Sequence, residues 1–197
     1  MPSFEKWSLS VNWFGLIAGI FMIAFGVLAP VWWRITLGGE AVVAELSPFN
    51  INMTALGAPM TSTLISFICL GARIAISIAG VLMILGSLFT RQWWSRKLVQ
   101  FGSLKMLWMV VGIVVMGVLM GAVVPALASG MAGGAGAQIQ MNIPTLSGGG
   151  NLTVQMGEQA TLSAPVTMAL TGAFFAAIVA SALGIAARVY HRRLTKK

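Results

Sequence analysis

Side chains able to do chemistry are few and scattered in this sequence. His191 is the single histidine and stands in a basic tail beside Arg192 and Arg193, a setting for a solvated or lipid-facing side chain rather than a ligand. Glu40, Glu45 and Glu158 are too sparse and too polar in context to form an acid/base pair. Cys69 is the single cysteine, which excludes an internal disulfide, a Cys-based zinc site and a CxxC redox pair. Haem or another metal centre needs clustered His, Cys or carboxylate ligands, a proton relay needs acids or histidines within the apolar runs, and a phosphate loop needs Lys-Ser/Thr after its glycines. None of these patterns is present, so the expectation is a non-catalytic protein with no cofactor and no metal. Met106, Met109, Met116 and Met120 stand far from any His or Cys and read as gap-filling side chains, not as a copper set.

Arg73 is the one charge well inside an apolar run, roughly 14 Å along a helix from Leu64. A cation at that depth is costly and needs a bundle interior, a wet cavity, a carbonyl, a lipid phosphate or another subunit. No acid occurs in the apolar runs to relay a proton with it, so a structural role is favoured over a substrate contact. Two glycosylation sequons, Asn52-Met53-Thr54 and Asn151-Leu152-Thr153, are weak signals that fall in corresponding segments.

The elements holding these residues follow from composition. Hydrophobic residues make up 58% and charged ones 8% of 197 residues, which fits a polytopic membrane protein. The net charge of +8 sits in short segments beside apolar runs and forms no extended patch with stacking aromatics, so membrane lipid is expected as a partner and nucleic acid is not. Four runs are long enough to cross a bilayer: 13–33, 64–89, 106–127 and 166–189. Lys6 precedes the first; Arg91, Arg96, Lys97 and Lys105 fill the connector 90–105; Arg188, Arg192, Arg193, Lys196 and Lys197 end the fourth and fill the tail 190–197. The loops 34–63 and 128–165 carry Glu40, Glu45 and Glu158, with Arg34 at a rim. The positive-inside rule then places segment 1–12 and the C-terminal tail in the cytoplasm and both long loops outside, in an integral protein of the plasma membrane. The first run is too long for a typical signal h-region and ends without a small-x-small cleavage pattern, so it is expected to be a retained span. Trp13, Trp32, Trp33, Trp93 and Trp94, together with Trp7, stand where interfacial anchors belong.

A repeat underlies this order. Leu56-Gly57-Ala58-Pro59-Met60-Thr61-Ser62-Thr63-Leu64 shares its Leu-x-Ala-Pro-x-Thr-x-x-Leu skeleton with Leu162-Ser163-Ala164-Pro165-Val166-Thr167-Met168-Ala169-Leu170. Each copy stands before an apolar run, so Pro59 with Thr61, and Pro165 with Thr167, are expected to mark equivalent helix entrances. The fold expected is an all-α transmembrane four-helix bundle of two tandem two-helix hairpins in a parallel pseudo-repeat. Gly15 with Gly19, Gly117 with Gly121, and Ala176, Ala180 and Gly184 give small-residue stripes for close helix packing. Period-two alternation through 49–54, 138–143 and 152–156 predicts half-buried strands, and 40–46 can supply a preceding strand across Ser47-Pro48, hence a small extracytoplasmic β-sheet of four strands, two from each outer loop. A Gly/Ala-rich flexible connector is expected over 130–136.

Four spans with both termini inside and a small outer sheet resemble the claudin-type organisation. The Trp, Gly-Leu-Trp and paired-cysteine pattern that marks that family's outer loop is missing, so the resemblance is one of architecture and implies no function. Two function classes follow. The favoured one is a structural, self-associating or accessory subunit, as a homo-oligomer or within a membrane complex, whose outer sheet is the interaction surface. The alternative is a small channel or transporter using the duplicated hairpins and Arg73, against which the near absence of polar residues in the spans argues.

Overall fold

Helix α1 (Trp13–Leu28) starts where the Asn12 carboxamide oxygen accepts the Gly15 N–H, satisfying one of the donors a helix start leaves open. It ends at Ala29, which takes a left-handed conformation (φ 43°) and returns its N–H to the Phe25 carbonyl. Pro30 cannot continue the helix and disfavours helical geometry in the residue before it. The expected span 13–33 therefore stops at Leu28, and its 16 residues cover about 24 Å, short of a bilayer core.

In the computed structural model, residues 11–60, 62–134, 137–142, 144–156 and 160–194 are described. Lys6, Trp7, Thr61, Gly136, Ile143, Glu158, Lys196 and Lys197 lie outside the described residues.

The other helices are α2 (Thr63–Leu88), α3 (Ser95–Gly134) and α4 (Gly172–Leu194). All three, with α3 counted as far as Val123, are long and apolar enough to cross a membrane, which fits an integral membrane protein. Helix α3 starts well before residue 106, so most of the expected connector 90–105 is helical. Lys97 over the Trp93 ring and Lys105 over the Phe101 ring, 5.4 and 4.8 Å from the centroids, are pairs four residues apart at this end. Helix α3 also continues to Gly134 through part of the expected flexible connector, although three of residues 130–134 are glycines. Helix α1 packs against α2 and α4, and α3 against the same two.

Among the described residues, seven strands form one antiparallel sheet: β1 (Trp33–Leu37), β2 (Val42–Ser47), β3 (Asn50–Ala55), β4 (Ala58–Pro59), β5 (Ala137–Asn142), β6 (Gly148–Met156) and β7 (Ala160–Leu170). Their order is β4-β3-β2-β1-β7-β6-β5, so the first half contributes a four-stranded meander and the second a three-stranded one. The seam between halves is β1 against β7, in a register that sets Trp33 opposite Leu170 and Thr36 opposite Thr167. The four expected strands correspond to β2, β3, β5 and β6, while β1, β4 and β7 are additional.

The two prolines of the repeat stand in strands, which corrects the helix-entrance expectation. Pro59 ends the two-residue edge strand β4 opposite Thr54, and α2 starts at Thr63. Pro165 lies within β7, and α4 starts only at Gly172. A proline is tolerated there because its carbonyl accepts the Gly38 N–H (2.8 Å) on the β1 side, just past the end of β1. In an antiparallel strand a residue's N and O face the same neighbour, so the missing donor costs no bond to β6. Thr167 sits on β7 opposite Thr36.

Trp32 and Trp33 are both fully buried rather than interfacial. They divide the interior between them. Trp32 meets Phe25, Phe49 and Phe174 edge-on at the helix ends, in the core that continues through Met22, Ile76 and Met83. Trp33 packs beneath the sheet with Ala44, Leu46, Val166 and Met168, and Met120 of α3 rests against that cluster. Their placement is forced by Pro30, which turns the chain into β1 before the tryptophans can reach the rim of a helix. Trp13 and Trp93 are exposed at 55% and 79%, and Trp94 is half-buried against Phe89.

Candidate functional site

Arg73 finds its partner on α1. Its Nε donates to the Gly26 carbonyl and its Nη2 to the Val27 carbonyl, both at 2.9 Å. These oxygens belong to the last turn of α1, where carbonyls lack intrahelical donors and carry the negative end of the helix dipole. One planar guanidinium thus caps two of them. The approach is possible because Gly26 lies against α2, where a Cβ would come within 2.9 Å of the Arg73 carbonyl.

The same seam continues along α1. A Cβ on Gly19 would stand 2.8 Å from the Gly80 carbonyl and 2.6 Å from Ile84, and Gly15 faces Ser87 and Ala187. Gly184 of α4 faces the backbone of Ser103 on α3, with Ala180 buried and Ala176 half-buried on the same helix. At Gly117 and Gly121 the nearest neighbours are Leu146 and Thr145 of the β5–β6 loop, so this stripe seats a loop where helix packing was expected.

Two buried polar nodes at the opposite end of the helices have no signature in the sequence. Asn12 is fully buried; its backbone N–H bonds the Ser87 carbonyl (3.0 Å) and its Nδ2 the Ala187 carbonyl (2.8 Å), joining α1 to α2 and α4. His191 is also buried, with Nε2 3.1 Å from Ser95 Oγ. The Ser95 hydroxyl lies 2.8 Å from the Gln92 carbonyl, so it can donate there and accept from a protonated Nε2, a tautomer assigned from the network. Periodicity carries no sign of either node, because only the fold brings residues 12, 187, 95 and 191 together.

The sheet's outward face is polar. Arg34 contacts Glu40 (3.5 Å) and Glu45 (4.0 Å), all three substantially solvated, so these pairs contribute little stability. Thr36 and Thr167 share a short hydroxyl contact across the β1–β7 seam. Asn52 pairs with Glu45, and Asn151 with Pro165 and Asn142; both asparagines are exposed. Among the described residues there is no group of three or more His, Cys, Asp or Glu that could hold a metal. No family model, curated protein or solved structure matches this chain.

Proposed function

We propose that this is a non-catalytic integral membrane protein acting as a structural, self-associating or accessory subunit, with the sheet outside the cytoplasm as its interaction surface. The observation that carries this reading is the single sheet into which both long loops are built. A continuous seven-stranded surface with a polar outward face offers a rigid platform for another protein. Its β4 edge ends in a proline and resists strand addition, so contacts are made through the face or the β5 edge. The four helices serve as a bundle that anchors this platform. Arg73 has both of its described bonds directed to helix-end carbonyls, which favours this reading over a channel using that arginine for selectivity.

The test is native mass spectrometry and electron microscopy of protein extracted into nanodiscs. A homo-oligomer joined through the sheets, or a fixed hetero-complex, supports the proposal. A monomer whose only activity is ion or solute flux across vesicles overturns it.

A further inference from the structure

Arg73 caps the end of α1 with two of the five N–H groups of its guanidinium, one from Nε and one from Nη2. Among the described residues the other N–H groups have no acceptor and no carboxylate contacts them, since Glu40 and Glu45 lie with Arg34 on the sheet. Two neutral carbonyls leave the full charge of the cation in place within an apolar run. The group is open on one side. Its bond to Gly26 is part-buried, its bond to Val27 is exposed, and Val27, Leu28, Leu70 and Ile74 around it are all exposed. Its depth suits a lipid headgroup: α1 covers about 24 Å where a bilayer core is about 30 Å, so the lipid surface has to sink by roughly 6 Å to meet the sheet-side end of α1, where Arg73 sits. Helix α2 begins at Thr63 on that same side, and long helical side chains lean toward their helix N-terminus, so the guanidinium is directed toward the headgroups of that leaflet.

We infer that Arg73 binds the phosphate of a phospholipid in the sheet-side leaflet, with Val27, Leu28, Leu70 and Ile74 as the surface along which the lipid chains lie. Phosphate oxygens accept the remaining guanidinium N–H groups in charge-assisted bonds and supply the negative charge that the carbonyls lack. A soluble phosphate uses the charge alone, whereas a phospholipid uses the apolar surroundings as well. The inference requires membrane embedding but no particular partner for the sheet, so it stands or falls independently of the proposed function.

The test titrates the protein in maltoside detergent with phosphatidylglycerol, or with a galactosyl diacylglycerol of the same chains that has no phosphate, and reads retained lipid by native mass spectrometry and the melting temperature. Wild-type protein is expected to prefer phosphatidylglycerol and to melt higher in its presence. Arg73→Gln should lower that preference about fivefold or more, the contribution of one basic residue beside an anionic headgroup. Arg73→Lys keeps the charge but not the two-pronged cap, so it should melt lower than wild type in detergent alone and still prefer phosphatidylglycerol. Arg91→Gln removes equal charge elsewhere and should keep the wild-type preference. An unchanged preference in Arg73→Gln, or an equal loss in Arg91→Gln, overturns the site. Equal losses in the lysine and glutamine variants assign the effect to the cap and overturn the phosphate contact. Equal retention of the galactolipid by wild type, or equal protection by inorganic phosphate, overturns the phospholipid assignment.

Discussion

Arg73 illustrates how a costly intramembrane charge becomes useful to a short helix. Because α1 ends at Leu28, its last carbonyls face surroundings that offer few donors, and Arg73 supplies two N–H groups from α2. Arg73→Leu should therefore lower stability by about 1–3 kcal/mol, chiefly the cost of leaving the Gly26 carbonyl, whose bond is part-buried, unpaired. Arg73→Lys should recover only part of it, since an ammonium cannot reproduce the two-pronged geometry. Thermal unfolding in nanodiscs reads both, and an unchanged melting point for the leucine variant would show that the carbonyls find other donors. Asn12 is a second test at this scale. Asn12→Ala removes the α1 cap and the bond to Ala187, with an expected loss of about 1–3 kcal/mol. Asn12→Ser keeps a capping hydroxyl but is too short to hold Ala187, so its melting point should fall between wild type and alanine. If serine and alanine melt together, the cap contributes nothing.

Among the elements, the α1–α2 seam depends on glycines that a one-carbon change would separate. Gly19→Ala drives a methyl to 2.8 Å from a backbone oxygen of α2, which no rotamer relieves, so the helices must part and stability should drop by about 1–3 kcal/mol. A Cβ added to Gly112 on α3 would meet nothing within 4 Å, and Gly112→Ala should stabilise by about 0.5–1 kcal/mol through helix propensity alone. Opposite signs from the same chemical change are the expected outcome; equal signs in a melting assay would refute the close crossing. Such crossings were partly legible, since small residues at four-residue spacing stand out. Their partners were not, and so Gly117 and Gly121 turn out to face a loop. Strands β3, β5 and β6 showed in period-two alternation because one face is buried and the other wet, while β2 was legible only as a segment able to pair across Ser47-Pro48. Strand β1 was hidden because Trp33 extends an apolar run, and β7 because Ala164-Pro165 mimics a helix start. In both cases the deciding bonds, Trp32 to Leu46 and Gly38 to Pro165, join segments that no local pattern connects.

For the whole molecule, the β1–β7 ladder joins the two halves of the chain, and its register is open to a direct chemical test. Thr36 and Thr167 are opposed across it with their hydroxyls in contact, a spacing within reach of a disulfide. Cys69 is buried, so replacing it by alanine leaves a background for introduced thiols. Thr36→Cys with Thr167→Cys should cross-link within one chain under mild oxidation, seen as a faster band on a non-reducing gel. Moving one cysteine to Ala169, which stands opposite Arg34, should abolish the link if the register is as described. Single cysteines then resolve orientation. Thr167 lies on the exposed outward face of the sheet and Arg193 at the far end of α4, and the basic residues gathered at that far end argue that it is cytoplasmic. In intact cells a membrane-impermeant maleimide should label Thr167→Cys and spare Arg193→Cys until the membrane is opened. The reverse pattern would turn the sheet toward the cytoplasm and remove it as an outer interaction surface. Labelling of both would mean that one of the two ends reaches the exterior by a path the charge distribution does not predict.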